Sequence, residues 1–249
     1  MSDLSGRTTL VVGASRGLGR GIATAFAEAG APVVAVSRTA AAFPEPANGA
    51  GTIQPEVADA GDATVAGSLL DRYEPEVVIL VAGASPLMRP LHQQTWETFS
   101  VNWHTDVKIA FHWLREALLK PLRPGSTVVV VSSGAAVAGS PLSGGYAGAK
   151  ATQRFITGYA QDEATRAGLG ITFTAVLPGR PTPLTDLGRP AVRAYAARAG
   201  QSEEEYLQQM GEPLTPAIAG TALVELVQAD AATVAPGHLL TAAGLQKLP

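Results

Sequence analysis

Short apolar runs alternate with longer amphipathic segments along this chain, and that alternation limits the possible fold more than any other feature. The runs fall at 8–12, 32–36, 51–57, 76–81, 127–131, 171–177 and 238–241, most of them apolar at consecutive positions rather than at every second one. Strands of that kind are covered on both faces. Segments with helical spacing lie between them at 18–29, 63–72, 96–119, 146–167 and 216–228, and no repeat or linker interrupts the series. The expected fold class is α/β: a doubly wound parallel sheet of about seven strands with helices on both faces and right-handed crossovers, residues 1–249 forming a single domain. A ligand of such a sheet sits beyond the carboxyl ends of its strands.

Composition narrows the partners. With 46% hydrophobic and 16% charged residues the chain is a globular protein, and a net charge of −3 gives no general attraction to nucleic acid or to an anionic membrane surface. No apolar run approaches the length of a membrane span, and residues 1–7 lack the apolar stretch of a signal peptide. The chain has no cysteine, which excludes disulfides and thiolate metal sites and fits a cytoplasmic location. His92, His104 and His112 have no metal-binding spacing, so no metal is expected.

The first run leads into Gly13-Ala14-Ser15-Arg16-Gly17-Leu18-Gly19, after which a helix begins. Glycines at these places permit a tight turn and let backbone approach a pyrophosphate, while the N–H groups of the new helix face the anion. The strand–turn–helix context makes this a dinucleotide-binding turn. After the second run stands Ser37-Arg38, where an NAD-preferring site would place a carboxylate against the ribose 2′-OH. Arg38 and Arg16 instead suit the 2′-phosphate of NADP(H). Between Arg38 and Glu56, segment 40–50 carries two prolines and a glycine, so a helix longer than a turn or so is not expected there.

Tyr146 and Lys150 lie four residues apart in a helical segment and share a face. An ammonium near a phenol stabilises the phenolate, and such a pair can move a proton to or from a substrate oxygen.

Together with Ser133, thirteen residues before Tyr146, and Asn102 in the preceding long helix, the glycine turn and this pair resemble the short-chain dehydrogenase/reductase family over nearly the whole chain. The resemblance implies a Rossmann-type domain and an NAD(P)-dependent oxidoreductase interconverting a small-molecule carbonyl and an alcohol, with NADP(H) the form the two arginines suit. It implies Tyr146 as general acid or base and Ser133 as hydrogen-bond donor to the substrate oxygen. Lys150 would tune the tyrosine and bind the nicotinamide ribose, Tyr146 would also border the cofactor, and Asn102 would hold a helix bulge and a relay water. It further implies cofactor contacts from Gly13, Ser15, Arg16, Gly17, Leu18, Gly19, Ser37 and Arg38. Glu56 and Val57 would lie at the adenine, Ala82 and Gly83 at the adenosine, and Pro178, Gly179 and Thr182 at the nicotinamide.

A substrate lid is expected at about 184–212, with Tyr195, Tyr206, Leu207 and Met210 among its candidates. Trp96, Trp103 and Trp113 are expected to pack within the long helix, whose apolar face with Ala110, Phe111 and Leu114 suggests a homo-oligomer. The alternatives left open are a cofactor-binding sensor or scaffold without hydride chemistry and an isomerase or dehydratase on the same scaffold.

Overall fold

The valine-rich runs become strands because both of their faces find helices to bury against. In β1 (Thr9–Val12), Val11 packs into the core on one side of the sheet while Leu10 and Val12 enter the core on the other. The same division recurs in β2 (Pro32–Ser37), β4 (Val77–Leu80) and β5 (Thr127–Val131). Each large aliphatic side chain buried in this way contributes about 1.5–3 kcal/mol. This computed structural model describes residues 3–46, 51–180, 182–183 and 185–248. Residues 47–50 of the proline-bearing segment, and Pro181 and Leu184 at the start of the expected lid, lie outside them.

The remaining elements are α1 (Gly17–Glu28), β3 (Thr52–Val57), α2 (Val65–Tyr73), α3 (Trp96–Asn102), α4 (Lys108–Leu119), α5 (Ala135–Ala138), α6 (Tyr146–Arg166), β6 (Thr172–Pro178), α7 (Gly188–Ala199), α8 (Glu203–Met210), α9 (Pro216–Gln228), β7 (Gly237–Thr241) and β8 (Gly244–Lys247). The eight strands run in the order β3-β2-β1-β4-β5-β6-β7-β8, parallel from β3 to β7. β8 is antiparallel to β7 and was not expected, so the count is eight rather than about seven. Its four residues are partly exposed and carry no apolar run to announce them.

On one face α1 and α9 bury Ile22, Phe26 and Leu223 against the sheet; on the other, α2, α4 and α6 bury Leu70, Trp113 and Ala160. No helix spans the described part of the β2–β3 connection, in keeping with its prolines. The expected 96–119 helix is interrupted by a five-residue π-helical segment, Trp103–Val107, between α3 and α4. Of the three tryptophans only Trp113 is a core residue, its indole N–H donating to the Ala60 carbonyl at 3.2 Å, whereas Trp96 and Trp103 are exposed. Ala110 and Leu114 likewise belong to the core and leave Phe111 alone of that trio at the surface. Among the described residues no helix is long and apolar enough to cross a membrane.

Candidate active site

At the end of β1 the chain must turn within a few residues to start α1. The N–H groups of Gly13 and Ala14 both donate to the Val36 carbonyl, at 2.8 and 3.2 Å, which ties the turn to β2. Gly13 has φ +95°, and a Cβ there would lie 2.6 Å from the Ala82 nitrogen, so two backbone segments meet where no side chain fits. A Cβ on Gly19 would lie 2.1 Å from the Gly13 carbonyl oxygen, which lets the first turn of α1 sit against the strand end. α3 and α9 have their first N–H groups capped by Thr95 and Thr215, but α1 begins with no capping side chain. Its unpaired N–H groups and dipole can accept an anion.

The turn opens on a cleft of about 670 Å³ beyond the carboxyl ends of the strands, at the point where the sheet order reverses between β1 and β4. One end is lined by Gly13, Ser15, Arg16, Gly17, Leu18 and Gly19 together with Ser37 and Arg38. Ala82 and Gly83 border its middle, and Ser133, Tyr146, Lys150, Pro178, Gly179 and Thr182 border the other end. Arg38 is exposed and forms no ion pair among the described residues, while Arg16 sits 3.2 Å from the Asp186 carboxylate, a contact between the glycine turn and the segment before α7. The Thr182 hydroxyl is hydrogen-bonded to that of Thr185 at 2.9 Å.

Three expected positions fall outside the cleft. Glu56 accepts a hydrogen bond from Tyr73 Oη at 2.5 Å and pairs with Arg72 at 3.3 Å, and Val57 is exposed. Successive side chains of a strand point to opposite sides, and Gln54 and Glu56 both reach Tyr73 of α2. The acid that lines the cleft instead is Asp59, two residues past the strand, beside Ala58 and Ala60. Asn102 is wholly buried, and its side-chain amide donates to the Ala84 carbonyl at 2.7 Å and to Asp106 Oδ1 at 3.3 Å. The bulge implied for it is present as the π segment that follows, and that wider turn brings Asp106 rather than Asn102 to the cleft.

Tyr146 opens α6 half-buried, with the Lys150 ammonium 5.6 Å from the centre of its ring. Lys150 is buried, and its Nζ lies 3.1 Å from Asp106 Oδ2, 2.9 Å from Gln153 Oε1 and 3.4 Å from the Val131 carbonyl. Burial works against the ammonium charge, but its surroundings, the Asp106 carboxylate foremost, outweigh it and hold the lysine pKa above its ordinary value. The Ser133 hydroxyl accepts from the Ala135 N–H at 3.2 Å, and Ser132 anchors α6 by donating to the Lys150 carbonyl at 2.7 Å. Asp106 gave no signal in the sequence beyond being an acid four residues after Asn102 in an otherwise amphipathic helix.

The expected lid contains the helix pair α7 and α8, from which Tyr195 and Tyr206 reach the cleft while Leu207 and Met210 do not. Tyr195 shares a hydrogen bond of 2.7 Å with Ser140, and burial raises the Tyr206 pKa. Among the described residues no three His, Asp or Glu side chains gather as a metal site would require. The uncapped α1 terminus and the glycine-lined backbone at one end of the cleft fit a nicotinamide dinucleotide.

A family model described as short chain dehydrogenase matches residues 7–194. The hydroxynaphthalene reductase-like protein Arp2 of Metarhizium majus (strain ARSEF 297) is 30% identical over 194 residues, covering 71% of this chain and 69% of its own. D-erythrulose reductase of Gallus gallus is 33% identical over 136 residues, covering 52% and 55%. A solved short chain dehydrogenase from Mycobacterium avium superposes with a TM-score of 0.76 at 20% identity, over 99% of this chain and 86% of that one, a likeness of fold.

Proposed function

This chain belongs to the short chain dehydrogenase family of nicotinamide-dependent oxidoreductases, and from that premise we propose that it interconverts a small-molecule carbonyl and an alcohol with NADP(H), using Tyr146 as the proton donor and acceptor. The observation that carries this reading is that Ser133, Tyr146 and Lys150 line one end of a cleft whose other end is the uncapped, glycine-lined start of α1. The N–H groups at residues 17–19 would hold the pyrophosphate, and Arg38 the 2′-phosphate. When bound, the cofactor supplies or removes the hydride.

The residues of the chain do the rest. In reduction, the Ser133 and Tyr146 hydroxyls hydrogen-bond the carbonyl oxygen, and Tyr146 gives it a proton as negative charge develops there. The Lys150 ammonium beside the ring stabilises the phenolate left behind. Oxidation of the alcohol reverses these roles. The reductase names of Arp2 of Metarhizium majus and of D-erythrulose reductase of Gallus gallus support a carbonyl substrate. Exposed aromatic residues on the adjacent helices α4 and α6, Phe111, Phe155 and Tyr159, support a homo-oligomer formed through that face.

NADPH consumption with a panel of ketones and aldehydes tests the reading. Tyr146→Phe should lower kcat by about 100-fold or more while leaving NADPH binding within about two-fold. Undiminished turnover in that variant removes Tyr146 from the chemistry.

A further inference from the structure

Lys150 cannot stay charged in this position by itself. Its side chain is 5% exposed and its partner Asp106 only 1%, and an ammonium so far from water favours its neutral form unless an opposite charge is close. Of the three groups closest to its Nζ, the hydrogen-bonded Gln153 and Val131 carbonyl are neutral, and Asp106, in ion-pair contact, alone brings a charge.

We propose that Asp106 is the positioning residue and counter-ion of Lys150, keeping the ammonium charged and directed beside Tyr146 and so fixing the pH range in which the Tyr146–Lys150 pair works. The proposal rests on the proton-transfer role given to that pair above. Four features fit the carboxylate to this task. The π segment turns Asp106 inward; the Ala84 N–H donates to its Oδ1 at 2.8 Å, so the second oxygen, Oδ2, meets the lysine. Gln153 closes the ring, donating to the Asp106 carbonyl at 2.9 Å while accepting from Lys150. The fourth is the vacant side-chain position at Gly83, where a Cβ would lie 2.6 Å from Asp106 Oδ2, so the backbone after β4 is shaped around this carboxylate.

No other acid competes for the role among the described residues. β5 presents Thr127–Val131 and Ser132 but no ionisable side chain, and α6 presents Tyr146 itself. The lid helices bring Tyr195 and Tyr206; the segment between β6 and α7 brings Arg180, donating to the Met210 carbonyl, and Asp186, paired with Arg16. Arg38 and Asp59 line the far end.

The test follows the lysine directly. The chain has Lys108, Lys120, Lys150 and Lys247, so carbon-13 labelling of lysine Cε gives a small set of resonances, with Lys150 assigned by Lys150→Met. In the wild type, Lys150 should titrate above the three exposed lysines. In Asp106→Asn, which keeps the size and the Oδ1 acceptor, its midpoint should fall by about one pH unit or more. The turnover of the variant, as a fraction of wild type, should then shrink by about ten-fold between pH 7 and the alkaline limit of wild-type activity. An unmoved Lys150 midpoint, or an equal loss of turnover at every pH, overturns the proposal. Should the variant not fold, the wild-type titration still decides, because a Lys150 midpoint well below those of the exposed lysines means that the carboxylate does not hold the charge against burial. Absence of turnover with every carbonyl would count against the proposed reaction and leave the lysine titration standing.

Discussion

Arg38 and Arg16 border the same end of the cleft, yet their surroundings separate them. Arg16 already has the Asp186 carboxylate at 3.2 Å, while Arg38 has no ionic partner among the described residues and is the freer guanidinium for a phosphate. Arg38→Asp should therefore weaken NADPH binding by about ten-fold or more, about 1.4 kcal/mol, and leave NADH binding equal or tighter; fluorescence titration with both cofactors checks this. Equal affinity of the wild type for the two cofactors would remove the preference. At this scale the sequence was readable wherever a role depends on local spacing, as for Tyr146 with Lys150 or the three turn glycines. It was not readable where a role depends on which way a side chain leaves its strand or helix. Glu56 fell to the α2 side by the two-residue alternation of β3, and Asp106 is turned inward by a π segment that no proline or glycine marks.

Between elements, α1 and α9 approach closely. A Cβ on Gly220 would meet the Ala25 Cβ at 2.5 Å, and one on Gly21 would meet Pro216 at the same distance, so the backbones touch where side chains usually separate them. Gly220→Val is expected to destabilise the protein by about 1–3 kcal/mol through overpacking, seen as a fall in the midpoint of thermal unfolding. An unchanged midpoint would mean that the helices part at no cost. Because α1 also supplies the uncapped terminus that faces the cleft, the same variant should weaken cofactor binding. The core strands were legible to within a residue or two because unbroken apolar runs report double-sided burial, whereas β8, with no such run, was not.

For the molecule as a whole, the order β3-β2-β1-β4-β5-β6-β7 leaves one place where neighbouring crossovers diverge, and Ser133, Tyr146, Lys150 and Asp106 converge on the cleft there from elements far apart in sequence, Asn102 remaining outside it. The surface opposite the sheet on α4 and α6 carries Phe111 at 51%, Phe155 at 59% and Tyr159 at 62% exposure, and it is the face through which a homo-oligomer is proposed. Light scattering after size exclusion should give a dimer or larger for the wild type, and Phe111→Glu with Phe155→Glu should shift it to the monomer mass; a wild-type monomer at micromolar concentration would discard this interface. The ion pair from Arg16 to Asp186 has a consequence of its own, since it joins the glycine turn to the segment before α7. An anion that competes for Arg16 gives up this exposed contact, and by thermodynamic reciprocity loss of the Asp186 carboxylate strengthens the hold of Arg16 on the anion by the same factor.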